Sequence, residues 1–286
     1  MTAKKERGKR RKSSTDIESE NLTGSALKAD KSADDNEAGF SKPWVLALAN
    51  YIDHTLLQPG ATTDDIVRLC SEAAQYKFFA VCVNPVHVKR AVRELSSTQV
   101  TVATTIGFPL GADLTDIKIA QTQRALFEGA EEFDMVINIG ALRERDSNYV
   151  LSELQAIVRA ARDCPVKIII ECDLLTEEEK ILATQLCAKA GATMVKTSTG
   201  FVKDSKGATV EDIVLLKKTI DNLVASGGKE LKIKASGGIR DYNQAMALIE
   251  AGAARLGTSA GINILKEARH KGSKSKIAKG ILSEVS

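Results

Sequence analysis

The sequence has few side chains of the kinds that bind metals or form disulfides. Its 286 residues include only three histidines and five cysteines, with no C-x-x-C pair. A metal centre built from several histidines is therefore disfavoured, and we predict neither a metal nor another cofactor. The odd number of cysteines, most of them in apolar periodic segments, predicts reduced, buried thiols and a cytoplasmic protein.

Long apolar runs and a strong net charge are also absent. No run approaches the roughly 18 apolar residues of a membrane-spanning helix. The N-terminus has no apolar core typical of a secretory signal, so we predict neither a transmembrane helix nor secretion. A net charge of +3 gives no argument for a nucleic-acid or membrane partner. The 43% hydrophobic content is enough to build a globular core.

Both ends of the chain differ in composition from its middle. Residues 4–12 are nearly all basic, and residues 16–37 are acidic and poor in large apolar side chains. This composition predicts a disordered charged extension over residues 1–41, and its basic cluster leaves nuclear targeting open as an alternative localisation. Residues 270–286 are predicted to be a basic tail. One domain is expected between them, over residues 42–269.

Within this middle part, one unit recurs: a short β-branched run, a loop and an amphipathic helix. The predicted strands are residues 51–55, 79–83, 100–106, 133–139, 166–171, 193–197, 231–235 and 254–258. Helix-start signals lie between them, such as Thr62 with Asp65 and Thr176 with Glu179. Eight such units predict an α/β protein of the (β/α)8 barrel type. No G-x-G-x-x-G turn supports the alternative of a doubly wound sheet.

Two lysines end two of the predicted strands, and each precedes a loop of small hydroxyl residues and glycines. They are Lys196 and Lys234. An ordinary lysine at pH 7 is only about 0.04% free amine, and burial or a second ammonium nearby raises that fraction. A single such lysine more often extends to solvent or pairs with a carboxylate. Two in matching contexts favour a reactive amine.

Other candidate site residues lie at the same strand ends, where barrel enzymes carry their chemistry. Asp134 interrupts an apolar strand, so we expect it to point inward and pair with a lysine. Asp53 and Cys82 are predicted to contact the substrate, although no histidine is placed to activate Cys82 as a nucleophile. The late turns predict a phosphate site, because glycine turns expose backbone N–H groups. Its residues are Thr199, Gly200, Gly237, Gly238, Gly257, Thr258 and Ser259.

Seven strings, in order along the chain, resemble the deoxyribose-phosphate aldolase family. They are IDHTLL at 52–57, AVCVNP at 80–85, IGFPLG at 106–111, FDMVINIG at 133–140, VKTSTGF at 195–201, KASGGIR at 234–240 and GTSAG at 257–261. The resemblance covers about residues 50 to 265. It implies a metal-independent class I aldolase that reversibly cleaves 2-deoxy-D-ribose 5-phosphate into D-glyceraldehyde 3-phosphate and acetaldehyde.

The resemblance also implies roles for three residues. Lys196 matches the lysine that forms the Schiff base, Lys234 the second lysine that favours its free amine, and Asp134 the acid/base residue of the proton relay. Some family members end in a tyrosine that aids proton transfer. This chain ends in LSEVS at 282–286, so we do not expect that contribution.

The expected partners are small molecules, a sugar phosphate and aldehydes, together with further copies of the chain in a dimer or tetramer. Two other functions remain open. One is a different Schiff-base barrel, such as a transaldolase or a sugar-bisphosphate aldolase. The other is a catalytically weak or idle barrel that serves as an interaction scaffold. Release of acetaldehyde from deoxyribose 5-phosphate would distinguish the predicted enzyme from both.

Overall fold

The fold is a closed barrel of eight parallel strands surrounded by helices. The structure, a computed structural model, describes residue 40 and residues 42–271. Each strand pairs with the next along the chain, and β8 pairs with β1 to close the barrel. The strands are β1 Ile52–Leu56, β2 Ala80–Val83, β3 Thr101–Ile106, β4 Glu132–Val136, β5 Val166–Ile169, β6 Met194–Lys196, β7 Lys232–Ser236 and β8 Arg255–Thr258. The predicted (β/α)8 barrel is confirmed.

Helices connect the strands and cover the outside of the barrel. They are α1 Pro43–Ala49, α2 Thr63–Tyr76, α3 Val88–Leu95, α4 Thr115–Phe127, α5 Ile139–Arg143, α6 Ser147–Ala160, α7 Glu177–Ala190, α8 Val210–Ala225, α9 Tyr242–Glu250 and α10 Gly261–Lys271. Short 3-10 turns follow β2 at Pro85–His87 and β5 at Cys172–Leu174. Within the part of the chain that the structure describes, no helix is both long and apolar enough to cross a membrane.

Polar side chains mark the starts of several helices, as the sequence indicates. Thr62 and Thr176 each form a full capping box with an acidic residue three positions later. Thr209 accepts from the backbone N–H of Asp212 at the start of α8. Each cap satisfies N–H groups that have no partner within the helix, which stabilises a helix by about 1 kcal/mol.

Apolar side chains fill the layer between the strands and the helices. In α2, Ile66, Leu69, Cys70 and Ala73 are buried on one face, at helical spacing. The inside of the barrel is different, because several strands point charged side chains into it. These inward charges form the candidate site.

Two strands end two or more residues before their predicted ends, for reasons seen in the residues that follow them. The fourth strand ends at Val136, because Asn138 already caps α5 by accepting from the N–H of Ala141. The fifth ends at Ile169, because Glu171 adopts left-handed backbone angles at φ 57°. The predicted extension over residues 1–41 and nearly all of the predicted tail over 270–286 lie outside the described residues.

Candidate active site

Strand register brings the three central charged residues predicted from the sequence together with a fourth. Asp134 in β4 pairs in register with Lys167 in β5. Lys196, the last residue of β6, pairs with Lys234 in β7. Residues in register on neighbouring strands share a face, so each pair projects to the same side of the sheet. All four side chains are buried inside the barrel.

Asp134 is the centre of this group. Its Oδ2 lies 2.7 Å from Lys196 Nζ and 2.7 Å from Lys234 Nζ. Its Oδ1 accepts from Lys167 Nζ at 2.8 Å. Three lysine side chains thus contact one buried carboxylate, and the expected pairing of Asp134 with a lysine is confirmed.

A second set of charges lies beside this group inside the barrel. Asp53 in β1 forms an ion pair with Lys234 Nζ and accepts from Arg255 Nη1 at 2.8 Å through Oδ1. Glu132 lies 2.6 Å from Lys167 Nζ and 3.3 Å from Arg255 Nη1. The guanidinium carbon of Arg255 lies 3.4 Å from the centre of the Phe79 ring. The two sets therefore form one continuous buried network.

The network holds Asp134 and Asp53 ionised and two of its lysines protonated. Burial alone would raise the pKa of Asp134, but the surrounding ammonium groups outweigh burial and hold that pKa well below its ordinary value. The pKa of Asp53 is lowered by the same balance. Burial would lower the pKa of Lys234, but Asp134 and Asp53 outweigh it and raise that pKa. The pKa of Lys167 is raised as well, with burial opposed chiefly by Asp134.

Lys196 differs from the other two lysines in its contacts and exposure. Its side chain is 3% exposed, whereas that of Lys167 is fully buried at 0%. Asp134 is its one ion-pair partner within the described residues, whereas Lys234 also contacts Asp53. Of the three amines, Lys196 thus has the fewest ion-pair partners and the most exposed side chain.

Cys82 borders the network on the side of β2. Its thiol lies 3.9 Å from Asp134 Oδ2 and packs with Leu57 and Ala103 in a small apolar cluster that Phe108 covers. Burial and the neighbouring carboxylate raise the pKa of Cys82 to about 11. The thiol therefore stays protonated near neutral pH and lines the site as a small, neutral group.

The loops after β6 and β7 bring three of the predicted glycines together. Gly200, Gly237 and Gly238 have positive φ angles of 80°, 92° and 74°, which disfavour any residue with a side chain. A side chain at Gly200 would lie 3.8 Å from the Cα of Gly237, so the two loops are adjacent. Thr199 is held beside them by Glu171, which accepts from its backbone N–H at 3.1 Å and from its hydroxyl.

The three predicted residues at the end of β8 and just after it occupy different positions. Gly257 lies within the strand, where a Cβ atom would come 3.0 Å from Cε of Lys234, so glycine leaves room for that lysine. Thr258 donates to the carbonyl of Ile239 at 2.6 Å and so connects β8 to the loop after β7. Ser259 is exposed and borders a groove of about 180 Å³ against α2.

The sequence analysis missed Glu132, Lys167 and Arg255. Each is a charged residue within a buried strand, as Asp134 is. The same signal, an ionisable side chain inside an apolar strand, could have identified them.

Two other features bear on where ligands could bind. A groove of about 730 Å³ lies at the opposite end of the barrel, by the start of β7 and β8, but its charged side chains are at the surface. Perturbed, buried ionisable groups mark a site better than volume does, so the lysine network is the better candidate. Within residues 42–271, no cluster of His, Cys, Asp or Glu could hold a metal ion.

Comparisons with known proteins agree on one family. Residues 47–267 match the DeoC/LacD family of aldolases. A deoxyribose-phosphate aldolase from Thermococcus gammatolerans is 52% identical over 227 residues, which cover 78% of this chain and 97% of that protein. A solved structure from Coccidioides immitis is 43% identical, with a TM-score of 0.75, over 79% of this chain and 87% of that one. The tetrameric deoxyribose phosphate aldolase from Aeropyrum pernix is 30% identical, with a TM-score of 0.71, over 84% and 99%. The chain therefore belongs to the DeoC/LacD family of aldolases.

Proposed function

We propose that the protein is a class I aldolase that cleaves 2-deoxy-D-ribose 5-phosphate reversibly into D-glyceraldehyde 3-phosphate and acetaldehyde. Lys196 is the proposed nucleophile. The observation that carries this assignment is the charge balance of the buried network. The carboxylates of Asp53, Glu132 and Asp134 are matched by the cations of Lys167, Lys234 and Arg255. The network is thus neutral without a proton on Lys196, and burial of a net charge is costly.

The free amine of Lys196 attacks the C1 aldehyde of the open-chain sugar, and loss of water leaves an iminium ion. Acetaldehyde carries two carbons, so the bond that breaks lies between C2 and C3. Its electrons move into the C1–C2 bond to form an enamine on Lys196, while the C3 hydroxyl gives its proton to Asp134, directly or through a water, and glyceraldehyde 3-phosphate departs. Protonation of C2 and hydrolysis of the resulting imine release acetaldehyde and restore the amine.

Proton transfer is assigned to Asp134, with Lys234 as its partner. Asp134 is ionised in the resting site, so it can accept a proton from the attacking amine or from a bound water. Lys234 stays protonated and lies 2.7 Å from the same carboxylate oxygen, so its charge keeps Asp134 ionised and ready to accept a proton, which Asp134 can then return. Its fixed positive charge also opposes a second charge on Lys196.

The sugar would lie between the lysines and the glycine loops. The 5-phosphate is assigned to the turns at Gly200, Gly237 and Gly238, because glycine turns present backbone N–H groups that bind anions. Thr199 and Thr258 lie beside these turns, whereas Gly257 and Ser259 are assigned to the subsite from the sequence pattern. Asp53 holds Lys234 by an ion pair, and Cys82 lines the site beside Asp134, near the assigned position of the two-carbon fragment.

An acetaldehyde assay tests the function directly. The protein is incubated with deoxyribose 5-phosphate, and acetaldehyde release is followed by its enzymatic reduction. We expect release by the parent protein and by Lys232→Met, because Lys232 is the exposed lysine on the same strand as Lys234. We expect none from Lys196→Met. Turnover of transaldolase or sugar-bisphosphate substrates instead, or no turnover of any, would contradict the proposal.

We further propose that the chain forms a dimer or tetramer and acts in the cytoplasm. A tetramer is described for the relative from Aeropyrum pernix. All five cysteines are free, which suits a reducing compartment. Light scattering on the purified protein tests the oligomeric state. Imaging of a tagged chain, with and without residues 4–12, tests the cytoplasmic location and the nuclear alternative.

A further inference from the structure

The loop between β6 and α8 is held in place by a carboxylate from a neighbouring connection. Asp173 lies in the 3-10 turn after β5. Its Oδ2 accepts from the hydroxyl of Ser205 at 2.6 Å and from the backbone N–H of Gly207 at 3.0 Å. Ser205 Oγ also lies 3.0 Å from that same N–H. One carboxylate oxygen thus fixes two points of a loop that has no regular secondary structure.

The segment that Asp173 holds packs directly against the turn after β7. A Cβ atom on Gly207 would lie 2.3 Å from the carbonyl oxygen of Gly237, which leaves space only for glycine. The next residue, Ala208, donates its N–H to that carbonyl at 3.0 Å. The far side of the turn is also close, because a Cβ on Gly238 would lie 3.5 Å from the carbonyl of Lys206.

The same connection holds the start of this loop as well. Glu171, two residues before Asp173, accepts from Thr199, which precedes Gly200. The β5 connection therefore anchors the loop at both ends, through two different carboxylates. The orientation of the Gly237 peptide, which sets where the N–H groups of the turn point, depends on this anchored loop.

We propose that Asp173 is a positioning residue for the phosphate subsite, a role that rests on the function proposed above. It acts through Gly207, which it holds against Gly237, and so fixes the backbone that binds the 5-phosphate. Its Oδ2 accepts hydrogen bonds from Ser205 and Gly207, and we do not assign Asp173 a contact with the ligand. Specificity for a phosphorylated sugar over the free sugar would then depend on a residue that never contacts the substrate.

The test compares two substrates and one anion across a small set of variants. For each variant, kcat and KM are measured with deoxyribose 5-phosphate and with free deoxyribose, and the Kd of inorganic phosphate is measured by calorimetry. With Asp173→Ala we expect KM for the phosphorylated sugar and the Kd of phosphate to rise about tenfold, with a smaller change in kcat. Since free deoxyribose has no phosphate, its kcat/KM should fall by a smaller factor. The ratio between substrates does not depend on how much protein is folded.

Three further variants separate positioning from general stability. Asp173→Asn keeps an oxygen that accepts both bonds, so it should restore phosphate affinity to within about threefold of the parent. Gly207→Ala places a methyl group against Gly237 and leaves Asp173 unchanged. It should lower the ratio of kcat/KM for deoxyribose 5-phosphate to kcat/KM for free deoxyribose at least as much as Asp173→Ala does. Asp146→Ala is the matched control, because Asp146 accepts a backbone N–H from Tyr149 at 3.0 Å away from these loops. It should leave the ratio unchanged.

Other results would overturn the inference. Equal losses on both substrates would show that Asp173 only supports the fold. Tighter phosphate binding by both Asp173→Ala and Asp173→Asn would show that it merely repels the anion, and a parent protein that binds no phosphate would remove the subsite itself. If the parent binds phosphate and Asp173→Ala binds it more weakly, yet neither cleaves deoxyribose 5-phosphate, the inference stands and the proposed function is wrong.

Discussion

Asp134 and Lys234 form a buried ion pair in which Oδ2 and Nζ are 2.7 Å apart. The same oxygen accepts from Lys196 at 2.7 Å, so the carboxylate connects a lysine that stays charged to the lysine assigned as nucleophile. One amine cannot both stay charged and act as an uncharged nucleophile, and this arrangement divides the two roles between two lysines. Lys234 supplies a fixed positive charge, and Lys196 is left to react with the carbonyl.

Lys234→Met should reduce kcat/KM by up to about 10³-fold at pH 7. Without this cation the buried network has one more carboxylate than cations, which favours a proton on Lys196, and an ordinary lysine is only about 0.04% free amine at this pH. The residual activity should rise toward higher pH. The pH profile of kcat/KM measures this, with Lys232→Met as the control. A Lys234→Met profile that superimposes on that of the parent would exclude the electrostatic role.

Asp134→Asn should lower kcat by about 10²–10⁴-fold, the range typical of lost general acid–base catalysis. The amide keeps the shape of the carboxylate but cannot accept and return a proton. Steady-state kinetics on folded protein, verified by circular dichroism, measure the loss. The exposed Asp163→Asn serves as the matched control. A loss of less than tenfold would assign proton transfer to another group.

Lys167→Met should destabilise the protein by about 3–5 kcal/mol, because it leaves buried carboxylates without their partner. Lys167 contacts Asp134 at 2.8 Å and Glu132 at 2.6 Å inside the barrel. Urea unfolding measures the free energy. The control is Lys217→Met, which removes an exposed ion pair with Asp221 and should cost under about 1 kcal/mol. Similar values for the two variants would show that the buried network contributes little to stability.

The buried carboxylates should also make the protein sensitive to acid. The pKa values of Asp53 and Asp134 are lowered from an ordinary value of 3.8, so the folded state holds fewer protons than the unfolded chain below that pH. Their stabilisation is therefore fully present above about pH 5 and is lost as the pH falls through and below 3.8. Urea unfolding between pH 7 and pH 3 should show this loss, with a shallower slope for Asp134→Asn. Equal slopes would contradict the shifted pKa.

Much of the fold follows from local sequence signals, since each strand, turn and helix start leaves its own pattern. The strands at 51–55 and 254–258 were identifiable one at a time, and closure of the barrel follows from having eight of them. The ends of β4 and β5 could not be identified from the sequence, because Asn138 caps the next helix and Glu171 adopts left-handed backbone angles. Both effects depend on contacts beyond the strand itself.

Part of the site was also predictable from local sequence signals. Lys196, Lys234 and Asp134 stand out, because each is a charged residue in or ending an apolar run. Lys167 and Arg255 have the same signal, but their roles emerge only when strand register places them beside Asp134 and Asp53. Asp173 gives no signal in the sequence, since its partners lie more than thirty residues away in a loop.

The identity of the nucleophile is tested most directly by trapping the imine. The protein is treated with acetaldehyde and borohydride, digested, and the modified peptide is identified by mass spectrometry, with Lys196→Met as the control. We expect loss of activity together with a reduced two-carbon adduct on Lys196 alone, and no adduct in the control. An adduct on Lys234 or Lys167 in the parent protein, or full activity after treatment, would contradict the assignment.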